Sequence, residues 1–404
     1  MIFVKASGLI VEYNPFHFGH LHHVKEAKKK ANVDCIIAVM SGSFLQRGEP
    51  AIVDKFHRTK AAISSGVDIV IELPYAYAVQ SSELFAEGAV KSLAQMGVNS
   101  ICFGSESGNI EPFLKAYTVI EKNKPDYEYA LQKQLNKGDS FPVASQKAYQ
   151  AIDLTEIDLL QPNNILGFSY VNAIKHLNLP ITPLTIQRIQ SGYHDQEIDT
   201  HIASATSIRK EFMTNGFSNK MTSTLPVESL QQFKKYYQTA GEIHDWEKYF
   251  PLLRYQVLSQ EPEQLSTIHG VDEGLEYRLK RTVKQAESIE HWLSLIKTKR
   301  YTQTRLQRCF VHILTNTTKQ SIQQFIGLES LPYIRLLGMS KTGQSYLNSY
   351  KKNVEVPIYT GLNKFNKTAL HLDEKAQEIY YTSLPVTLQQ SLKKQEFKLP
   401  IMDE

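Results

Sequence analysis

The sequence predicts an α/β fold in which a parallel five-stranded sheet occupies residues 1–215 and a mainly α-helical, basic region occupies residues 216–404. Short apolar runs alternate with helical patterns of 10–15 residues in the first half of the chain. This alternation is typical of a parallel sheet covered by helices on both faces. After about residue 215 the strand-like runs vanish and helical patterns dominate. We therefore expect two domains.

Five short runs in the first half are the predicted strands. They are Leu9–Tyr13, Cys35–Met40, Asp68–Leu73, Asn99–Phe103 and Ile181–Gln187. The second run is continuously apolar, as expected of a strand buried on both faces. Loops follow these strands at residues 14–20, 41–50, 104–108 and 188–195. Since ligands of such sheets bind outside the carboxyl ends of the strands, we expect these loops to converge on one site.

Helical patterns fill most of the remaining chain. In the first half they cover Leu21–Ala31, Lys55–Ser64, Ser82–Met96, residues 110–136 and Asn164–His176; in the second half they cover residues 226–260, 271–299, 303–327 and 373–395. The first of them ends in three lysines, and cations stabilise a helix C-terminus. Residues 357–359 are predicted to form a short extended piece.

Composition excludes several classes of protein. Apolar residues make up 42% and charged residues 21% of the 404 residues, which is ordinary for a folded globular chain. No apolar run approaches the ~20 residues that span a bilayer, and the first residues lack the pattern of a signal peptide. The three cysteines are far apart and indicate buried thiols in a reducing compartment. These features predict a cytoplasmic protein without a membrane partner.

The stretch I-V-E-Y-N-P-F-H-F-G-H-L-H-H, residues 10–23, connects the first strand to the first helix. The first turn of a helix has unpaired N–H groups, and its dipole favours an anion. His17 and His20 are three residues apart and are expected on one face. Beside such an anion site, two imidazoles can donate hydrogen bonds to a phosphoryl group as its charge shifts.

The same histidines are also compatible with the absence of a function or with a metal site. A single H-x-x-H pattern occurs by chance among surface histidines. Four histidines within seven residues suggest a metal site, but the H-E-x-x-H pattern of zinc-binding helices is absent. We therefore predict no metal ligand in this stretch.

A second motif, S-A-T-S-I-R at residues 204–209, follows the last predicted strand. Small hydroxyl residues at the start of a helix cap free N–H groups and can hydrogen-bond phosphate oxygens. Arg209 adds a fork-shaped cation that matches a phosphate. Alone, the motif would be an ordinary helix cap. Together with H-x-G-H in the same α/β unit, it predicts the second half of a triphosphate site.

The two motifs together resemble the nucleotidyltransferase superfamily, whose H-x-G-H and S-x-T-x-x-R motifs hold ATP. Further stretches are similar to the tRNA(Met) cytidine acetate ligase family of bacteria. They are V-E-Y-N-P-F-H-F-G-H, S-G-S-F-L-Q-R-G-E-P-A, F-G-S-E, N-N-I-L-G, I-Q-R with a following H-D, A-S-A-T-S-I-R and K-T-K-R-Y-T-Q-T-R-L-Q-R. The resemblance spans roughly residues 8–310 and implies a Rossmann-like nucleotidyltransferase domain at the N-terminus.

The resemblance implies ATP-dependent N4-acetylation of the wobble cytidine of elongator tRNA(Met). Acetate and ATP would give acetyl-adenylate and pyrophosphate, and the cytidine amine would then attack the acetyl carbonyl. His17, His20 and Arg209 are the expected catalytic residues. The expected ATP-binding residues are Ile10, Val11, Glu12, Tyr13, Asn14, Pro15, Phe16, His17, Phe18, Gly19, His20, Leu21, His22, His23, Gly104, Asn163, Arg188, Ser204 and Thr206.

The sequence departs from the family pattern at two positions. Phe18 stands where an asparagine is expected between the two histidines, and Asn164 stands where an aspartate is usual. Phe18 is neutral for phosphate binding if it points away from the site. The missing acid at position 164 puts a carboxylate role there in doubt, although Asn163 keeps the neighbouring amide.

The residues fit this chemistry independently of the resemblance. Acetate is a weak nucleophile, but it attacks an in-line α-phosphate when both groups are held in position. Backbone N–H groups, the two imidazoles and Arg209 would stabilise the growing charge. Mg²⁺ is expected to accompany ATP, because the phosphates supply most of its ligands. The reaction requires no nucleophilic serine or cysteine.

Charge is unevenly distributed along the chain. Residues 1–200 carry 18 basic and 21 acidic side chains, whereas residues 201–404 carry 27 and 20. The excess is concentrated in a basic cluster around Tyr301, in a stretch from 291 to 328 that contains no acid. The cluster comprises Lys297, Lys299, Arg300, Arg305 and Arg308. Basic residues interleaved with an aromatic can contact a phosphate backbone and stack a base, which predicts a tRNA-binding surface.

Other functions remain open from the sequence. One alternative is an adenylyltransferase that joins AMP to a small phosphorylated metabolite without RNA. Another is a non-catalytic RNA-binding protein that senses ATP. The basic cluster argues against the first of these, and the intact H-x-G-H and S-x-T-x-x-R motifs argue against the second. The basic cluster itself is also compatible with a solvated helical face.

Overall fold

A computed structural model of the protein describes residues 5–154, 157–159, 161–188, 202–363 and 368–403. In these ranges the strands are β1 (Ala6–Val11), β2 (Cys35–Ser41), β3 (Ile69–Leu73), β4 (Ser100–Ser105), β5 (Thr182–Gln187), β6 (Ile334–Met339), β7 (Ile358–Tyr359) and β8 (Ile401–Met402). They form one sheet in the order β5-β4-β1-β2-β3-β6-β7, with β8 also paired to β6.

The first five strands form the predicted parallel sheet. β1 lies at its centre between β2 and β4, and β3 and β5 lie outside them, with every pairing parallel. The register runs from Ala6 opposite Cys35 to Val11 opposite Met40. All five carboxyl ends therefore point to the same edge of the sheet, and the prediction of a parallel five-stranded sheet in the first half of the chain is confirmed.

Helices cover the sheet and build most of the second half of the chain. Up to residue 222 they are α1 (Phe18–Ala31), α2 (Lys55–Ile63), α3 (Tyr75–Ala78), α4 (Ser82–Gln95), α5 (Glu111–Lys122), α6 (Lys124–Asn136), α7 (Phe141–Ala151), α8 (Pro162–His176), α9 (Ala205–Asn215) and α10 (Asn219–Thr222). Beyond it they are α11 (Val227–Ala240), α12 (Trp246–Ser259), α13 (Pro262–Ser266), α14 (Leu275–Thr282), α15 (Ile289–Ile296), α16 (Gln303–Leu314), α17 (Lys319–Ile326), α18 (Lys341–Tyr350), α19 (His371–Tyr381) and α20 (Val386–Lys393). Two short 3₁₀ turns cover Lys351–Asn353 and Lys394–Phe397.

Alternate side chains of the central strands bury into two different cores. In β2, Ile37 and Val39 belong to the large core, whereas Ile36 and Met40 belong to the smaller core on the other face. This period of two follows from the pleat of a strand. A strand with apolar residues in both registers is therefore buried on both faces, as the sequence predicts for β2.

The extended piece predicted at residues 357–359 is confirmed by β7, but β6 and β8 contradict the expectation that strands are otherwise absent after residue 215. β6 returns to the sheet and pairs antiparallel with β3, and β7 and β8 pair with β6. The run I-R-L-L-G-M of β6 is short and contains a charged Arg335. That arginine is only 3% exposed because its guanidinium pairs with Glu396 at 3.0 Å. An ion pair with Glu396, which lies 61 residues further along the chain, thus allows the charged Arg335 to occupy a buried strand.

A second difference concerns residues 110–136, which the sequence predicts as one helix. The structure divides them into α5 and α6 at Asn123. Pro125 lies in the first turn of α6, where backbone N–H groups have no acceptor within the helix. A proline there therefore costs the helix no hydrogen bond. Inside a continuous helix the same proline would remove a backbone hydrogen bond, so the chain starts a new helix instead.

The two halves of the chain share one core. The large cluster of buried apolar side chains includes Ile37 and Phe103 from the sheet as well as Trp246 and Trp292 from the helical region. Backbone contacts also cross between the halves, since the Phe18 N–H donates to the Thr224 carbonyl at 3.1 Å. The predicted boundary between two domains at residue 215 therefore stays a prediction, and the two regions that it separates pack against each other.

A buried ion cluster ties the C-terminal segment to the sheet. Lys55 Nζ lies 2.8 Å from Glu72 and 2.7 Å from Glu396, and Glu396 also pairs with Arg335. The side chains are at most 4% exposed. Two cations and two carboxylates balance one another's charge here, so removing one member leaves an uncompensated buried charge.

None of the helices in the described ranges is long and apolar enough to cross a membrane.

We expect Glu396→Ala to lower the free energy of unfolding by about 3–5 kcal/mol, because Lys55 and Arg335 would lose a buried counter-ion. Urea denaturation followed by circular dichroism measures this loss. Glu378→Ala is the matched control, since Glu378 forms an ion pair with Lys393 at a site where its side chain is 48% exposed. Removing that exposed pair should cost less than ~1 kcal/mol. Equal losses in the two variants would contradict the role given to the cluster.

Candidate active site

A cavity of about 300 Å³ opens at the carboxyl edge of the parallel sheet. The loops after β1, β2, β4 and β5 and the start of α9 surround it, as the strand pattern predicts. Its lining comprises Ile10, Val11, Glu12, Tyr13, Asn14, His17, Gly19, His20, His22, His23, Gln46, Arg47, Glu49, Phe85, Phe103, Gly104, Asn163, Leu166, Tyr170, Ile186, Arg188, Ile202, Ala203, Ser204, Ala205, Thr206 and Arg209.

Most of the predicted ATP-binding residues line this cavity, together with all three predicted catalytic residues. The exceptions are Pro15, Phe16, Phe18 and Leu21, which do not line it. Phe16 is buried, and its carbonyl accepts a hydrogen bond from Ser229 Oγ at 2.6 Å. The assignment of these four residues to ATP binding stays a prediction. Of the predicted loop at 188–195, residues 189–195 lie outside the described residues.

His17 and His20 lie together at the N-terminus of α1. Their rings stack with centroids 3.7 Å apart and planes inclined by 23°. His17 is the residue before the first helical turn, and its backbone N–H donates to His20 Nδ1 at 3.2 Å. Neutral His20 therefore carries its proton on Nε2. His17 Nδ1 is buried and has no hydrogen-bond partner of normal geometry among the described residues.

Burial keeps the imidazoles of His17, His20 and His23 neutral. Desolvation, with smaller contributions from nearby Arg188 and Arg209, lowers the pKa of His17 to about 3. Desolvation and the adjacent His17 hold the pKa of His20 well below its ordinary value. His23, which contacts the Cys102 carbonyl through Nε2 at 3.1 Å, has its pKa lowered by burial to about 4. The imidazoles therefore act as neutral hydrogen-bonding groups before a ligand binds.

Two glycines make room for these side chains. A Cβ at Gly19 would lie 2.8 Å from His17 Cε1, so the middle of the H-x-G-H motif has to be glycine for this imidazole position. A Cβ at Gly104 would lie 2.9 Å from Arg188 Cγ. Glycine at these positions therefore allows a histidine and an arginine to reach the cavity.

The S-x-T-x-x-R motif supplies a second helix N-terminus. Ser204 caps α9 by accepting the Ser207 N–H at 3.1 Å, as predicted. The free N–H groups of its first turn therefore lie at the cavity, where Ala205 and Thr206 line the wall. Arg209 is held by the Asn14 carbonyl at 3.0 Å and by Glu49 Oε2 at 2.9 Å. The arginine is thus positioned before any ligand arrives.

Arg188 is positioned by the loop after β5 and by α8. Its N–H donates to the Ser105 carbonyl at 3.0 Å, and its guanidinium donates to Asn163 Oδ1 at 2.8 Å. Asn163 in turn donates to Glu106 at 2.9 Å. Asn164 is buried away from the cavity and donates to the Asp158 carbonyl. The departure from the family pattern at 164 therefore leaves the cavity lining unchanged.

The other departure, Phe18, also points away from the cavity. Its ring lines a neighbouring apolar groove with Leu21, His22, Lys25, Ile202, Ser223 and Leu225. His22 and Ile202 belong to both the groove and the cavity. The interpretation of Phe18 as neutral for phosphate binding therefore agrees with its position in the structure.

Sequence reasoning named no residue from two parts of the lining. One is the loop after β2, which the strand pattern placed at the site and from which Gln46, Arg47 and Glu49 reach the cavity. The stretch S-G-S-F-L-Q-R-G-E-P-A was a signal for this loop. The other part is an apolar wall that includes Phe85, Leu166 and Tyr170. These residues belong to the apolar faces of α4 and α8, where core and ligand-facing positions follow the same helical period.

Some side chains of the predicted basic cluster form ion pairs with an acidic residue of the protein, and others do not. Arg300 and Arg305 share Glu273, at 2.8 Å and 3.5 Å, whereas Lys297 and Lys299 are exposed and form no ion pair with any described residue. Tyr301 is 7% exposed, and its hydroxyl donates to the Glu273 carbonyl at 3.1 Å. The suggestion that this aromatic stacks on a base is therefore wrong. The assignment of the cluster to tRNA stays a prediction.

The cluster is nevertheless physically connected to the cavity. A Cβ added at Gly48 would lie 2.2 Å from the Arg308 backbone nitrogen, so the loop after β2 packs directly on α16. Trp246 Nε1 also donates to the Gly48 carbonyl at 2.8 Å. The helix that carries Arg305 and Arg308 therefore supports one wall of the cavity.

The arrangement suits a polyphosphate. Two helix N-termini, neutral imidazoles and two anchored arginines surround one cavity, and each of these groups stabilises phosphate charge. Among the described residues, no group of three or more histidine, cysteine or acidic side chains is arranged to hold a metal ion.

Comparison with known proteins identifies relatives over nearly the whole chain. The HIGH Nucleotidyl Transferase family model matches residues 4–396. The tRNA(Met) cytidine acetate ligase of Oceanobacillus iheyensis is 50% identical over 402 residues, which cover 99% of this chain and 100% of that protein. The tRNA(Met) cytidine acetate ligase of Bacillus subtilis is 46% identical over 388 residues, covering 95% and 93% of the two chains.

Two solved structures share the fold. Apo Thermotoga maritima TmcAL superimposes with a TM-score of 0.91 at 30% identity, covering 98% of this chain and 99% of that chain. The same protein bound with alpha-thio ATP superimposes with a TM-score of 0.90 at 30% identity and the same coverage. The α/β fold predicted from the sequence is therefore confirmed by relatives of known structure.

His17 should make stability depend on pH. In the unfolded chain a histidine has a pKa near 6.5, whereas the pKa of folded His17 is about 3. Protonation below pH 6.5 thus favours the unfolded chain, and stability is complete above pH 6.5 and declines as pH falls toward 3. Between pH 7.5 and pH 5, His17 should account for a loss of about 2 kcal/mol.

Urea denaturation of His17→Asn at both pH values tests this expectation. The variant should lose about 2 kcal/mol less than the wild type on acidification, whatever its stability at pH 7.5. His176→Asn, at an exposed histidine, is the control and should leave the difference unchanged. An unaltered pH difference in His17→Asn would show that His17 titrates normally in the folded protein.

Proposed function

The chain belongs to the tRNA(Met) cytidine acetate ligase family of HIGH nucleotidyl transferases, and we propose how its cavity performs the reaction. The protein is an ATP-dependent ligase that acts on a tRNA cytidine. Acetate is activated as acetyl-adenylate, and the acetyl group passes to N4 of the wobble cytidine of elongator tRNA(Met). The observation that carries this proposal is the convergence of the H-x-G-H and S-x-T-x-x-R motifs, each at a helix N-terminus, on one cavity.

In the first step an acetate oxygen attacks the α-phosphorus of ATP, and pyrophosphate leaves with the bonding electrons. The N-termini of α1 and α9 receive the phosphates, since both helices begin at the cavity and their dipoles favour an anion. His17, His20 and Arg209 stabilise the charge that develops on the phosphoryl oxygens. Because these groups are held in place by the fold, they lose little freedom when the substrate binds.

Arg188 and Asn163 hold a different part of ATP from the histidines. They come from the loop after β5 and from α8, next to Gly104 of β4. The apolar wall formed by Phe85, Leu166 and Tyr170 lies in the same cavity and accommodates the less polar parts of the substrates. This division of polar and apolar walls positions the α-phosphate near the imidazoles.

The second step uses the helical region. The cytidine amine attacks the acetyl carbonyl, and AMP leaves. The surface around Lys297, Lys299, Arg300, Arg305 and Arg308 binds the tRNA backbone next to the wall that α16 supports. Exposed Lys297 and Lys299 contact phosphates directly, whereas Arg300 and Arg305 first exchange their ion pair with Glu273.

Mg²⁺ accompanies ATP in this proposal, bound mainly by the phosphates. The described residues offer no cluster of metal-ligating side chains, which agrees with an ion that arrives with the nucleotide.

We place the enzyme in the cytoplasm, where its tRNA substrate and ATP occur. The two alternative functions that the sequence left open lose their basis, because the family acts on tRNA and contains catalytic motifs that this chain preserves.

The defining experiment is incubation of the protein with ATP, radiolabelled acetate and total tRNA. Label should appear on tRNA(Met), and His20→Ala should reduce its incorporation at least ~100-fold, since an imidazole that stabilises the transition state is lost. tRNA binding by the variant should remain within about twofold of the wild type. His371→Ala, at an exposed histidine, is the control. Absence of label from tRNA(Met) with the wild-type protein would contradict the proposed reaction.

Neutralising Lys299, Arg300 and Arg305 together to alanine should weaken tRNA binding and reduce the slope of log K against log salt by about 2–3, because fewer counterions are released. Filter binding at several salt concentrations measures both. The matched control neutralises Lys122, Lys124 and Lys137, which are exposed on α5, α6 and the turn after α6. An unchanged slope in the first variant, or an equal change in the control, would place the tRNA surface elsewhere.

A further inference from the structure

Glu12 is an unusual residue in a cavity that binds anions. ATP and acetate both carry negative charge, yet two carboxylates, Glu12 and Glu49, line this cavity. Glu49 is neutralised by Arg209 at 2.9 Å. Glu12 forms no ion pair within the described ranges, and its carboxylate accepts one hydrogen bond, from the Gln46 N–H at 2.8 Å. Its role is therefore different from that of Glu49.

A carboxylate in this position opposes the first step. Its charge repels the triphosphate and acetate, and burial of an unpaired carboxylate is costly in itself. Burial also raises the pKa of Glu12, although the Gln46 N–H and Arg47 oppose this effect. A carboxylate such as Glu12 can instead assist a step in which a neutral nucleophile has to lose a proton. The cytidine amine is the only neutral nucleophile in the proposed reaction.

We infer that Glu12 is the general base that accepts the proton of the cytidine N4 amine during acetyl transfer, an inference that rests on the proposed function. The N4 nitrogen forms a bond to the acetyl carbon as the carbon–oxygen bond to AMP breaks. The bonding electrons leave with AMP. One N4 proton passes to the Glu12 carboxylate and from there to solvent, so that acetylcytidine, AMP and one proton result.

The position of Glu12 agrees with this role. Its carboxylate is attached through Gln46 to the loop after β2, and that loop packs on α16 through Gly48. The Glu12 carboxylate is therefore linked through this loop to α16, the helix that carries Arg305 and Arg308. His17 and His20 approach the cavity from a different element, the start of α1. A nucleoside that enters along the α16 side meets Glu12, while the phosphates remain at the helix N-termini.

The backbone holds Glu12 firmly. Arg58, which is 1% exposed, donates to the Glu12 carbonyl at 2.7 Å and also to the Ser41 carbonyl at 3.0 Å. This arginine joins the ends of β1 and β2 beneath the cavity. The backbone of Glu12 is therefore held in place, and one carboxylate oxygen accepts the Gln46 N–H. The other oxygen can accept a proton from the substrate.

Separate assays of the two half-reactions test the inference. Acetate-dependent release of pyrophosphate from ATP reports adenylate formation, and transfer from chemically prepared acetyl-adenylate to tRNA(Met) reports the second step. In Glu12→Gln, transfer should fall 10²–10⁴-fold, the range for loss of a general base, and at least ~30-fold more than adenylate formation. Glu49→Gln is the matched control and should impair adenylate formation at least as much as transfer, because it releases Arg209.

The pH profile separates a base from a structural role. Wild-type transfer should rise with pH as Glu12 loses its proton, and this acidic limb should be absent from the residual activity of Glu12→Gln. Glu12→Asp keeps a carboxylate, so its transfer rate should be reduced but should still rise with pH on the acidic side. This variant replaces Glu12→Gln in the test if Glu12→Gln fails to fold. ATP binding and the thermal unfolding midpoint report folding of both variants.

Three outcomes would overturn the inference. They are unimpaired transfer in Glu12→Gln, equal loss of both half-reactions, and a raised Mg²⁺ requirement for adenylate formation, which would indicate a metal ligand instead. A wild-type protein that releases no pyrophosphate with acetate would contradict the proposed function itself, which is a different result.

Discussion

The cavity depends on hydrogen bonds that residues from the second half of the chain donate to the backbone of the loop after β2. Trp246 Nε1 donates to the Gly48 carbonyl at 2.8 Å, the Tyr380 hydroxyl to the Ala51 carbonyl at 2.7 Å, and the His244 N–H to the Ile52 carbonyl at 3.2 Å. A loop buried without such partners would leave unpaired carbonyls at a cost of about 1–3 kcal/mol each. The nucleotide site is therefore completed by residues that lie far later in the chain.

Burial decides the electrostatics of the site. The imidazoles stay neutral because desolvation outweighs the value of their charge, and the arginines are held by carbonyl, amide and carboxylate groups of the protein. The cavity thus meets a polyphosphate with oriented donors and two guanidinium groups, rather than with flexible lysines. Fixed donors in a site of low dielectric constant stabilise developing charge without reorganisation at the moment of reaction.

The sequence predicted the parts of the protein that depend on local patterns. The five parallel strands, the cap at Ser204 and the placement of His17 and His20 at a helix N-terminus all follow from short-range periodicity and capping. β6 was missed because its Arg335 is made compatible with burial by Glu396, which lies far along the chain. Tyr301 was misjudged for a similar reason, since its burial depends on Glu273. Contacts between distant segments have no local signature, so the sequence alone did not reveal them.

The order of strands has a consequence for synthesis of the protein. β3 ends at Leu73, whereas its outer neighbour β6 begins at Ile334. At about 5–20 residues per second, the ribosome needs roughly 13–52 s to produce the intervening chain. During this interval the nascent sheet has an uncovered, apolar edge at β3, which is the kind of edge that recruits other chains. The edge of β3 can be covered by its own neighbour strand only after β6 has been synthesised.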